Sequence, residues 1–280
     1  MRSGPVHGAK DAAGRLAAAR TAVAKPGTTA PGQRVTLPRA LSKLGFCSRT
    51  QAEALIAEGR VSVDGRIVTD AESWVDLQHA AIAVDGAPVS AEEKLYLMLN
   101  KPRGLVTTRH DPEGRPTVYE CLKHVDAPHL SPVGRLDKAS EGLLLFTNDT
   151  RLAQALLDPE THVAKTYHVQ IDRIAGQPLL DRMTAGMELD GERLTATAAR
   201  PLRDGSRNAW IEVELQEGRN RQIRRMLEAL DIGCLRLVRV AIGDLSLGDL
   251  AKGAVRALTA DEVGALFGRA GLTPQPQAAR

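Results

Sequence analysis

The sequence predicts an α+β protein in two folded parts, a small αβ module followed by a larger domain built on a largely antiparallel sheet. Three observations predict it. At 280 residues the chain exceeds the common single-domain size. Its strand-like and helix-like segments follow one another without the regular alternation that a parallel α/β fold requires. A short polar stretch, Ser90-Ala91-Glu92-Glu93-Lys94, separates a region of short elements from one of longer elements.

Residues 1–34 are rich in Ala and Arg, nearly free of acids, and punctuated by Pro26-Gly27 and Pro31-Gly32. They read as a basic disordered extension in preference to an organellar transit peptide of the same composition. Ordered structure is expected from Val35. Leu41, Leu44, Ala52, Leu55 and Ile56 recur at helical spacing over two short segments, with Ser48 as N-cap of the second and Gln51 in the capping-box position. Arg60 to Val68 then alternates and turns at Asp64-Gly65, the strongest short hairpin signal. The module so defined spans 35–86.

The second domain is expected over 94–266. Leu95 to Pro102 reads as a buried strand ending at a proline-fixed turn. Strands are also expected at Val133, Leu143 to Phe146, Tyr167 to Ile171, Ala209 to Leu215 and Cys234 to Val240. Helices are expected near Arg151 to Leu157, Pro178 to Ala185 and Gln222 to Ala229. Residues 267–280, Pro- and Gln-rich from Pro274, read as a disordered tail.

Composition excludes several function classes. No apolar run approaches the ~20 residues that cross a bilayer, so no membrane role is expected. Three cysteines, Cys47, Cys121 and Cys234, lie far apart without metal-ligand spacing, which argues against a zinc site and a disulfide framework and for a reduced, cytoplasmic protein. A net charge of +3 says little by itself. Its distribution says more, because arginines gather in the extension, from Arg39 to Arg60 and from Arg219 to Arg239, as phosphate neutralisation requires. Aromatic residues make up only 3% of the chain, so arginine and shape, not stacked rings, must carry contact with a polyanion.

The most informative stretch is Gly134-Arg135-Leu136-Asp137, followed by Lys138-Ala139-Ser140-Glu141-Gly142 and the apolar Leu143-Leu144-Leu145-Phe146. Taken alone, Asp137 reads as a turn cap. Together with Lys165-Thr166-Tyr167 and Glu217-Gly218-Arg219-Asn220-Arg221-Gln222-Ile223-Arg224-Arg225-Met226, the stretch resembles the pseudouridine synthases of the Rsu/Rlu branch, which isomerise uridine within ribosomal RNA. The likeness covers about residues 35–265. Within it, Arg39-Ala40-Leu41-Ser42-Lys43-Leu44-Gly45, Ser48-Arg49, Ala52-Glu53 and Gly59 to Gly65 resemble the S4 RNA-binding domain. That resemblance implies an RNA face made by Arg39, Lys43, Ser48 and Arg49, and guanidinium forks and helix N-terminal amides do suit phosphates.

The family resemblance further implies that Asp137 is the catalytic aspartate, that Tyr167 stacks on the target base and can act as a base, and that Arg224 salt-bridges Asp137. Arg219, Arg221 and Arg225 are then left for phosphate, and Arg135 for the space vacated by a flipped uridine. The reaction breaks C1′–N1 and joins C5 to C1′ with no redox change and no imported group, so no cofactor and no metal are implied. Asp137 serves either as nucleophile and leaving group or in elimination to a glycal, and the sequence leaves both open. Asp111 to Val118 and Gly218 to Arg225 lie closer to the large-subunit than to the small-subunit type of the branch, which favours 23S-type rRNA, free or within a ribosomal assembly intermediate, over 16S rRNA. One site per chain gives no reason to expect more than a monomer. The competing class is a non-catalytic rRNA-binding assembly protein.

Overall fold

The computed structural model describes residues 34–77, 79–89, 93–125 and 130–273. The expected extension before Arg34, residues 90–92 of the polar stretch and residues 274–280 of the expected tail lie outside the described residues.

Strand β1 (Arg34–Thr36) pairs antiparallel with β4 (Trp74–Asp76), so Arg34 belongs to the ordered module and not to the extension. Pro38 sits in the first turn of α1 (Leu37–Leu44), where its missing N–H costs nothing, and Gly45 at φ 90° ends the helix. Helix α2 (Arg49–Ala57) begins with the expected capping box: Gln51 N donates to Ser48 Oγ at 3.2 Å and Ser48 N to Gln51 Oε1 at 3.0 Å. Strands β2 (Val61–Val63) and β3 (Arg66–Ile67) join through Asp64 and Gly65, both at positive φ, as a type I′ hairpin demands. Strands β5 (Ile82–Val84) and β6 (Ala87–Pro88) complete a sheet ordered β3-β2-β5-β6. The module therefore runs past its expected end at residue 86, because β6 and Val89 close the sheet and core.

The larger region contains β7 (Tyr96–Lys101), β8 (Ser131–Pro132), β9 (Glu141–Thr147), α3 (Thr150–Leu157), β10 (Lys165–Ile171) and α4 (Gln177–Ala185). The hairpin β11 (Met187–Leu189) and β12 (Glu192–Leu194) follows, then β13 (Ala198–Asp204), β14 (Ala209–Leu215) and α5 (Gln222–Glu228). Strands β15 (Cys234–Ile242), β16 (Leu245–Ser246) and β17 (Val255–Ala257) and helix α6 (Ala260–Arg269) end it. One sheet runs β13-β14-β10-β15-β9-β7-β17, with β16 on β15 and β8 on β9. All its pairs are antiparallel except β15 with β9, which matches the expected α+β class with a mixed, mostly antiparallel sheet.

That parallel pair is the seam between the two halves of the sheet, and its register covers only Val238 with Glu141 and Arg239 with Gly142. Strand β9 is buried on both faces: Leu143 and Leu145 enter the cluster shared with α3 and α6, while Leu144 and Phe146 enter the opposite one. Hence its sequence is a continuous apolar run. Helix α6 corrects the expected tail at residue 267. Its Leu266 and Phe267 are buried with Leu152 and Leu156 of α3, and Thr259 with Glu262 forms its capping box.

Candidate active site

The 134–140 loop enters β9 at the seam, and its backbone is tied down at several points from Leu136 onward. Thr107 Oγ1 donates to Leu136 O at 2.7 Å, Gly104 N to Lys138 O at 2.7 Å and Ser140 N to Asp137 O at 2.9 Å. The fully buried Lys101 donates from Nζ to the carbonyls of Pro102, Asp137 and Ser140 at 3.2, 3.1 and 2.8 Å. Burial pushes this amine down to about 8 against the opposing pull of Asp137 and Glu141. Lys101-Pro102-Arg103-Gly104 thus shapes the cleft by gripping the loop that carries Asp137. All of these anchors hold main chain, so none of them takes up the Asp137 carboxylate, which is 38% exposed in a cleft of about 570 Å³.

Arg221 stands beside that carboxylate, with Nη1 3.9 Å from Asp137 Oδ2. This corrects the expected Arg224–Asp137 pair. Arg221 precedes α5 in the left-handed region (φ 49°, ψ 32°), which turns it toward the cleft. Arg224 lies in the first turn of the helix and spans to carbonyls instead, donating from Nη2 to Ala139 O at 3.3 Å and from Nη1 to Cys234 O at 3.4 Å. It braces α5 and β15 against the loop two residues from Asp137.

Two other arginines expected to be free for phosphate are engaged. Arg225 donates to Glu192 at 2.7 Å and to Asp190 at 3.0 Å, and Arg219 pairs with Glu217 and Glu192. Arg219 pins the 217–222 strap, and Arg225 the helix α5 that follows it, to the β11–β12 hairpin, whose carboxylates the sequence offered no reason to place there. Arg219 still lines the cleft, while Arg225 does not. Arg135 is exposed at the cleft rim.

Tyr167 reaches the cleft from β10, next to Arg239 of β15 in register, and packs on the cores to either side of the seam. Leu136, Leu215, Ile223 and Leu237 give the cleft an apolar lining. Two further cations line the cleft: Arg239, the last of the arginines expected to neutralise phosphate, and Lys165, which has no expected role although it sits in the Lys165-Thr166-Tyr167 motif and shares its strand face with Tyr167. Desolvation, then the Arg239 charge, pushes the Lys165 amine down to about 8. A lysine depressed on folding disfavours the folded state wherever both states are protonated, and the penalty fades as pH rises from about 8 toward the unfolded value near 10.4. Lys165→Met should therefore unfold at higher denaturant concentration than wild type at pH 7, with the gap closing by pH 10. A constant gap across that range would mean that charge is not its cause.

Arg39, Lys43 and Arg49 line a second cleft of about 600 Å³ against Leu157, Asp158 and Pro159. Burial, then the Arg39 and Arg151 charges, lowers the Lys43 amine from its usual range. Ser48 does not line this cleft; its hydroxyl accepts from Gln51 N in the capping box.

Comparison with known proteins bears on these clefts. Residues 95–229 match the family described as RNA pseudouridylate synthase, and residues 35–79 match the S4 domain. An uncharacterized RNA pseudouridine synthase of Mycobacterium tuberculosis (strain H37Rv) is 39% identical over 253 residues, 89% of this chain and 100% of the relative. The ribosomal large subunit pseudouridine synthase B of Bacillus subtilis is 35% identical over 81% of this chain and 93% of its own length. A crystal structure of a pseudouridylate synthase superposes with a TM-score of 0.59 at 29% identity, covering 84% of this chain and all of that one.

Proposed function

The chain belongs to the RNA pseudouridylate synthase family, and from that premise we propose that it isomerises uridine in ribosomal RNA, with 23S-type rRNA or an assembly intermediate containing it as substrate. The observation that carries the reading is Asp137: a carboxylate on an immobilised loop, open to a cleft, with a guanidinium beside it. The large-subunit preference draws support from the names of relatives such as the Bacillus subtilis synthase B, and 16S rRNA is the first alternative.

In this reading the C1′–N1 bond of the target breaks, the uracil turns, C5 bonds to C1′, C5 loses its hydrogen as a proton and N1 gains one. Asp137 acts on the sugar, as nucleophile or in elimination to a glycal, and both routes use the ionised carboxylate with Arg221 as its counter-charge. Tyr167 offers a ring to the turned base from the opposite strand, and its hydroxyl is the candidate acceptor of the proton that must leave. Arg224 positions the Asp137 loop through Ala139. Arg135, exposed at the rim, occupies the space that the extruded nucleotide leaves in its stack.

Tritium release from an unmodified 23S transcript labelled with 5-tritiated uridine tests the reaction, since forming C5–C1′ expels the C5 hydrogen. Release is expected from 23S and not from 16S transcript. Release from 16S alone would move the substrate to the small subunit, and release from neither, with binding intact, would favour the assembly-protein reading. For the S4-like face, Arg39→Ala with Arg49→Ala is expected to weaken RNA binding and to flatten the slope of log affinity against log salt by about one unit per lost phosphate contact. An unchanged slope removes that face from the footprint.

A further inference from the structure

The two clefts share an apolar divider, Leu157 with Pro159, that stands between their cationic walls. Leu157 lines both, and it is 52% exposed. On one side stand Arg39, Lys43 and Arg49; on the other, Arg135, Arg221 and Asp137. An exposed leucine between two cationic clefts is not explained by the packing of its helix. Helix α3 buries Leu152 and Leu156, and Leu157 lies off that face.

The backbone that carries Leu157 is also held in place. The Asp158 carboxylate accepts from Glu160 N at 3.0 Å, and Thr161 Oγ1 donates to Ala155 O at 2.7 Å and Asp158 O at 2.8 Å, so the helix end carrying Leu157 is braced and not a loose loop. Leu157 Cδ2 lies over Gly134, 2.9 Å from where a Cβ would stand, at the start of the loop that carries Asp137. The glycine leaves the room that lets this leucine lean over the mouth of the cleft.

Resting on the synthase reading, we propose that the two clefts form one track for an unpaired RNA strand, and that Leu157 is an apolar wedge that separates the base at the mouth of the Asp137 cleft from its neighbour. Phosphates gain from arginines and lose hydration against a leucine, so the group meeting Leu157 is a base face. Apolar side chains inserted at a base step unstack it, and unstacking is the cost, on the order of a few kcal/mol, that extrusion of a target nucleotide must meet. The chain has only 3% aromatic residues, and with Tyr167 taken up by the target base, Leu157 offers the neighbouring base an apolar face in place of a ring. Leu157 is a positioning residue here, since it acts through the neighbouring base and not on the reacting atoms.

The test uses a single-stranded, uridine-rich oligoribonucleotide carrying one 2-aminopurine, whose emission rises when it unstacks, with anisotropy reporting binding. Wild type is expected to bind and raise the emission. Leu157→Ala should bind within about fivefold of wild type and with the same salt slope, because phosphate contacts supply most of the affinity, yet lose the rise; Leu157→Met should restore it. Thermal unfolding of both variants should match wild type, as expected for an exposed side chain. A full rise with Leu157→Ala, a changed salt slope, or wild type that fails to bind or binds without a rise would each overturn the wedge. Tritium release by wild type on rRNA, measured in parallel, reports on the isomerase reading separately, so loss of one is distinguishable from loss of the other.

Discussion

Asp137→Asn is expected to reduce tritium release from rRNA by about 10³-fold or more, as loss of an essential catalytic group does, while leaving the fold and RNA binding close to wild type. The structure separates the two effects. What Asp137 contributes to the fold comes from its backbone oxygen, which accepts from Lys101 Nζ and Ser140 N and is unchanged in the variant. Its carboxylate makes one ion pair, at 3.9 Å and partly exposed, so removing the charge costs little stability. The amide keeps the shape and loses the anion, which both routes for the reaction need. Release at the wild-type rate would sink the assignment of Asp137; release lost together with folding would mean that the variant had failed as a probe of chemistry and that the loop depends on the carboxylate after all.

Gly142→Ala carries the largest expected effect on stability. Gly142 has φ 100°, and an added Cβ would lie 2.2 Å from Arg239 O, 2.8 Å from Arg239 N and 3.0 Å from Arg239 C. Those are backbone atoms of the neighbouring strand at one of the two register positions that join the halves of the sheet. Neither atom set can move without parting β9 from β15, so a loss of about 4 kcal/mol or more is expected, at the upper end of single substitutions. Gly134→Ala is the informative contrast. Its φ is also positive, but the added atom meets only the flexible end of Leu157, so backbone strain on the order of 1 kcal/mol should dominate. Chemical denaturation of both variants checks the ordering, and equal losses would contradict this account of the seam.

The elements that were legible share one property: their signals are local. The Asp64-Gly65 turn, the Ser48 capping box and the apolar run of β9 each depend on residues within a few positions of one another, and each appears where the sequence indicates. Helix α6 had a local signal too, the Thr259 and Glu262 capping box, but its two interior glycines and its place near a Pro-rich end obscured it. Strand β13 had none. It is an exposed edge strand with Pro201 inside it, defined by its pairing with β14.

By itself, the sequence determined the class of fold, the family, and the set of side chains from which the site is drawn, because motifs and periodicity are written along the chain. Only the tertiary structure decided how those side chains are shared out. The pattern from Arg219 to Arg225 offers four guanidiniums without ranking them. The left-handed turn at Arg221 puts one beside Asp137, the helix puts Arg224 on carbonyls of the loop and β15, and Glu217 with the acids of the β11–β12 hairpin occupies Arg219 and Arg225. Likewise Lys165, Arg239 and Leu157 acquire their surroundings from segments far away in sequence. Charge pairing, desolvation and exposure depend on distances across the fold, and no spacing along the chain encodes them.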